Sequence, residues 1–245
     1  MTTRELAIGA VIGGRLHARA DVLAWEDKRI DAAATKLGVA RPPAAPIPAR
    51  RENWLETKRA IGDEEMLRRL ARDTRLAGLV SAAQARVTSR RRACVTELFV
   101  QGASSGRFTE WFNHITFESD RDAMELACPD HFVLRMHDGA QQVVETNGGS
   151  PFTAAFDIDY DDVSSLSTPV DPLFGHRLDG VARGGNGRPI GGVRHQFRNI
   201  PGGVHARLVV EFPLLIPETV VRGHRWHLAC EFSNWFEAAV AAEGA

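Results

Sequence analysis

The stretch that decides the fold runs from Val193-Arg194-His195-Gln196-Phe197-Arg198, through Pro201-Gly202-Gly203, to the alternating residues Val204, Ala206, Leu208, Val210 and Phe212. A glycine-rich turn between two such runs reads as a hairpin, and the period-two alternation sets one face of the return strand on a core. Residues 218–242 then follow as one long amphipathic helix. Hairpin-linked strands closed by a C-terminal helix predict an α+β fold with an antiparallel sheet, not a doubly wound parallel one. Working outward, 95–100, 131–136, 141–146 and 152–158 read as further strands and 108–115 as a short helix.

The chain has 245 residues, 44% of them hydrophobic and 25% charged, which suffices for a core without disulfides or a structural metal. Cys94, Cys128 and Cys230 are odd in number and form no Cys-x-x-Cys pair, which argues against a disulfide framework and for a reducing, cytoplasmic setting. No apolar run reaches the ~18–20 residues that span a bilayer. Residues 6–14 are too short for a signal-peptide core and are followed at once by Arg15, His17 and Arg19. A net charge of −1 gives no cationic footprint for nucleic acid.

Charge and composition shift along the chain. The first hundred residues hold 19 basic against 12 acidic residues, and the remainder 11 against 19. The early part is rich in Ala, Arg, Glu and Leu, which favours helices. These shifts predict a helical N-terminal region over 1–92, interrupted by a proline-rich linker at 42–49, and a second unit over 93–245. Apolar spacing from residue 53 to 87 predicts helix, with Asp63 placed to cap a second one.

The long C-terminal helix carries His227 and Glu231 four residues apart, so their side chains stand one turn above the other and suit a shared ion. His224 points broadly the same way. His114 ends an aromatic helix, and Glu145 sits among valines, where a carboxylate is costly to bury unless paired or metal-bound. Together His114, Glu145, His227 and Glu231 would form a mixed N/O site suited to Zn, Mn or Fe. Two competing patterns carry less. Gly102-Ala103-Ser104-Ser105-Gly106 has the spacing of a nucleophile elbow, but no parallel strands precede it. Asp130, His131, His137 and Asp138 could also bind a metal.

Over residues 109–236 the sequence resembles the diacetylphloroglucinol and phloretin hydrolases, metal-dependent C–C hydrolases with a Bet v 1-like, helix-grip fold. The resemblance rests on Glu110-Trp111-Phe112-Asn113-His114, Cys128-Pro129-Asp130-His131, Glu145, the His195 hairpin and His227-x-x-x-Glu231. It implies Zn2+, with Mn2+ or Fe2+ as alternatives, held by His114, Glu145, His227 and Glu231, with 31 residues between the first two. It also implies His195 as a catalytic pocket histidine, and as substrate a small aromatic ketone, an acylated phenol. For Asp130, His131, His137 and Asp138 it implies a turn entering a strand. No nucleic-acid or membrane partner is expected, and a homodimer is allowed. The family's pocket tyrosines have no counterpart beyond Tyr160, the chain's one tyrosine. A non-catalytic carrier of hydrophobic ligands and a non-haem iron enzyme stand as alternatives.

Overall fold

The computed structural model describes residues 6–243, so the outermost ends of the two expected regions lie outside the described residues. Nine strands form one sheet in which every pairing is antiparallel: β1 (Ile8–Ile12), β2 (Arg15–Ala18), β3 (Arg91–Gln101), β4 (His131–His137), β5 (Ala140–Glu145), β6 (Ala154–Asp159), β7 (His176–Arg183), β8 (Pro189–Ile200) and β9 (Gly203–Pro213). Six helices among the described residues accompany them: α1 (Arg19–Leu37), α2 (Ile47–Ile61), α3 (Asp63–Val87), α4 (Ser105–Phe117), α5 (Arg121–Leu126) and α6 (Glu218–Glu243). The strand order is β2-β1-β3-β9-β8-β7-β6-β5-β4.

The hairpin read from sequence is β8–β9, and α6 covers the expected C-terminal helix. The N-terminal region departs from expectation at both ends of its reading. It opens with the β1–β2 hairpin, whose turn residues Gly13 and Gly14 have φ of 58° and 81°, the left-handed values such two-residue turns require. In the proline-rich stretch the helix α2 already begins at Ile47, because the first turn needs no backbone donor and so tolerates Pro48. Asp63 opens α3 without capping it; its carboxylate receives Arg121 and Arg135 instead.

α6 is buried nearly all round between Val220 and Ala239, so it is a core helix and not a surface one. Cys94 and Thr96 of β3 donate to the carbonyls of Val221 and Arg225 on α6. At the same time His131, on β4, lies 3.0 Å from His227 of α6. Six strand spacings separate β3 from β4, about 29 Å if the sheet were flat. Both ends of that span meet one helix, so the sheet curls around α6.

A second core covers the outer face of β4 and β5, where Phe132, Val133 and Val144 pack against Ile30, Trp54, Met66 and Leu70 of α1–α3. The N-terminal helices are thus continuous with the sheet. A buried polar knot adds to this join. Arg51 of α2 donates twice to Glu26 of α1, at 2.6 and 2.9 Å, and Asn234 of α6 donates to Glu26 and to the Ala127 carbonyl. Arg19 closes the knot onto Asn234 and Glu237. Because Glu26 is fully buried, Glu26→Ala should leave Arg51 uncompensated and lower stability by about 3–5 kcal/mol. Denaturant unfolding measures this; a loss below ~1 kcal/mol would show the knot to be energetically idle.

Candidate metal centre

β4 and β5 supply the first half of the site through their register. His131 stands directly opposite Glu145, and the next pairing is Val133 with Val144, so one extra residue bulges out of β4. The bulge turns both Phe132 and Val133 toward the helical core and returns Leu134 to the inner face, leaving His131 facing α6. On α6 the buried polar residues His224, His227, Glu231 and Asn234 recur at intervals of three and four, forming one stripe along the helix. The stripe meets the His131–Glu145 pair.

The convergence is tight. His131 Nε2 lies 3.0 Å from His227 Nε2, 3.0 Å from Glu231 Oε2 and 3.7 Å from Glu145 Oε2. His227 Nε2 is 3.5 Å from the same oxygen of each glutamate. A tetrahedron with arms of about 2.1 Å has edges of roughly 3.4 Å, the size of these separations. The outer ring nitrogens are already engaged: His131 Nδ1 donates to the Met124 carbonyl at 2.9 Å, which leaves the Nε2 lone pair facing inward. His227 Nδ1 faces Cys128 Sγ at 3.6 Å and Asp130 Oδ2 at 4.0 Å. Two imidazoles directing Nε2 at each other, beside two carboxylates, fit a small divalent cation. Ligand atoms of Glu145, His224 and His227 also lie within 4.8 Å of one another, as do those of Cys128, His131 and His227. Burial pushes the Cys128 thiol well above its ordinary value, so it stays protonated and is the poorer donor.

The cluster's electrostatics fit the same view. Burial raises Glu145, against the pull of His227 and His131. Burial also opposes the ionised form of Glu231, but His227 and His131 outweigh it and hold that carboxyl far below its usual range. For His227, burial lowers the ring's basicity, yet Glu145 and Glu231 overcome it and raise the value to about 9. Glu231 is therefore the firmly anionic member, and His227 sits where positive charge is favoured.

Three of the four residues expected as ligands come together, Glu145, His227 and Glu231. His114 does not join them. α4 buries Phe108, Phe112, Ile115 and Thr116, and His114, two residues past Phe112, lies about 200° round the helix and is exposed. His131 occupies the corresponding place, 14 residues before Glu145 and not 31. Its signal was present in the sequence as the Cys-Pro-Asp-His turn, but the bulge that aims it inward leaves no period-two trace. The Gly102–Gly106 segment leads from an antiparallel strand into α4, with Ser104 at the helix N-cap, which is no nucleophile elbow.

Beside the cluster lies a cavity of about 310 Å3 between sheet and α6, lined by His131, Glu145, Glu231 and by apolar walls that include Leu134, Phe156, Phe212 and Trp235. Tyr160 lines it and donates to Gln141 at 2.8 Å. His195 faces it from β8, edge-on to Phe232 at 4.7 Å. Its Nδ1 accepts from the Val209 N–H at 3.2 Å, so the ring proton is on Nε2. His224 stacks on His227 at 4.8 Å, and its Nδ1 has no hydrogen-bond partner among the described residues. No protein-family model and no curated protein matches the chain. No helix among the described residues is long and apolar enough to cross a membrane.

Two outcomes follow. His131→Ala should abolish stoichiometric binding of a divalent ion, whereas His114→Ala should leave it unchanged; titration with Co2+ or Zn2+ separates them, and the opposite pattern would restore His114 as the ligand. Burial pushes His195 down to about 4, against a weak opposing pull from Glu231. Its neutral ring suits the fold above pH ~6.5; as pH falls toward 4 the unfolded chain takes up a proton that the folded one refuses, and about 3 kcal/mol of stability is lost. The stability gap between wild type and His195→Asn should shrink by that order between pH 7 and pH 4, while a gap independent of pH would place His195 in water.

Proposed function

We propose that the chain is a metal-dependent hydrolase, with zinc as the metal, that cleaves the carbon–carbon bond beside the ketone of an acylated phenol. The observation that carries this reading is the meeting of two imidazole Nε2 atoms and two carboxylates on the wall of an apolar cavity. The resemblance to the diacetylphloroglucinol and phloretin hydrolases supports it, with His131 in place of His114. The curled antiparallel sheet around a buried C-terminal helix is in keeping with the Bet v 1-like, helix-grip class.

His131, His227 and Glu231 would hold the ion, with Glu145 as a fourth ligand or as the base beside it. When bound, such an ion polarises a ketone oxygen and lowers the pKa of a water molecule. The overall reaction adds water across the C–C bond: the carbonyl carbon leaves as a carboxylic acid, and the ring carbon gains a proton and leaves as the arene. Glu145, raised by burial, is suited to take the proton of the attacking water at its carboxylate and return it to the ring carbon. His195 serves differently from a titrating acid. Held neutral with its proton on Nε2, it donates a hydrogen bond into the cavity and orients a phenolic oxygen or the ketone. The apolar walls receive the ring and exclude bulk water.

Elemental analysis followed by a panel of acyl-phenols tests the proposal. Purified protein should carry about one metal per chain and convert an acyl-phenol to arene and carboxylate, with one oxygen of the carboxylate drawn from water. Glu145→Gln and Glu231→Gln should each lower kcat/KM by at least ~10²-fold. Tight binding of acyl-phenols by metal-free protein without turnover would make it a carrier. O2 consumption with bound iron would make it an oxygenase using His131, His227 and Glu231.

A further inference from the structure

The N-terminal helices hold the turn over residues 125–131 that delivers His131 to the proposed metal centre. Arg29 of α1 donates to both oxygens of Asp130, at 2.9 and 2.6 Å. Trp54 of α2 donates its indole N–H to the Pro129 carbonyl at 3.0 Å. Lys58, one turn further along α2, donates to the carbonyls of Glu125 and of His131 itself, each at 2.7 Å. Lys58 has no solvent exposure, and the carboxylate it pairs with, Glu125, is 4.0 Å away. A wholly buried ammonium spent on two neutral carbonyls is an expensive way to fill space.

The place of those carbonyls gives the reason. β4 is the last strand of the sheet, so its outer edge has no ladder partner. Lys58 takes the His131 carbonyl where a neighbouring strand would otherwise serve. By also holding Glu125, it fixes the end of α5, whose Met124 carbonyl receives His131 Nδ1. Both the backbone and the ring orientation of His131 therefore depend on one ammonium.

We infer that the N-terminal helices form a clamp, with Lys58 as its positioning residue, that sets the His131 imidazole for metal binding. The inference rests on the reading of His131 as a metal ligand. It gives the helical region a role at the site that its sequence does not suggest.

Co2+ titration against a competing chelator tests it, with the cobalt absorption bands reporting ligand geometry. Lys58→Met should remain folded and weaken Co2+ binding about 10–100-fold with altered bands, the range usual for partners that orient a ligand. Trp54→Phe, which deletes one hydrogen bond and keeps an aromatic ring, should weaken binding about 3–10-fold. Lowered stability of the metal-free variants with affinity and bands like wild type would make the contacts merely structural and overturn the clamp. Should Lys58→Met fail to fold, unchanged affinity in Trp54→Phe overturns it equally. Wild-type protein that binds no Co2+ would instead refute the metal centre itself.

Discussion

Everything about this molecule turns on bringing the far edge of a nine-stranded sheet onto its C-terminal helix. His131 and Glu145 belong to the last two strands, His227 and Glu231 to α6, and the four meet only because the sheet curls. A flat sheet would keep the His131–Glu145 pair apart from the His227–Glu231 pair, and each would be buried with less compensation. Brought together, they offset part of one another's desolvation: the histidines hold Glu231 ionised, and the glutamates raise His227. Glu145 remains the strained member, buried beside a second carboxylate.

That curl needs support from outside, and the N-terminal region supplies it. α1–α3 cover the outer face of β4 and β5 with Ile30, Trp54, Met66 and Leu70, while β1 and β2 extend the opposite edge of the same sheet. Loop packing contributes as well. Immediately after Glu145, the chain passes α6 at Gly148, where a Cβ would lie 2.1 Å from the Gly223 backbone. With φ at +62° and no room for a side chain, Gly148 allows β5 to end against the helix beside His224. The apolar cavity is the space left between these supports, and His224 and Glu231 of the polar stripe on α6 line it.

The same arrangement changes what His195 is able to do. A strand histidine in water would titrate near neutrality, but this one is enclosed by sheet and Phe232, and its Nδ1 is occupied by the Val209 N–H. It is a fixed donor of a hydrogen bond and not a proton shuttle near neutral pH. Proton movement in the proposed reaction therefore falls to the carboxylates, of which Glu145 has the raised value.

The sequence by itself determined the antiparallel α+β character, because hairpin alternation in 193–212 and the length of the last helix are local properties of consecutive residues. It also determined that His227 and Glu231 share a helix face, since spacing of four on a helix settles that. Glu145 was legible because a lone carboxylate among valines has to be compensated. The partner histidine was not. Choosing His131 over His114 depends on a single-residue bulge in β4 and on the rotation of α4 about its axis, both set by packing against other elements. The pairing of β1 with β3 and the grip of α2 on the His131 turn were equally invisible, because they join residues tens of positions apart. Periodicity reports which face of an element is buried; only the tertiary structure decides which faces meet.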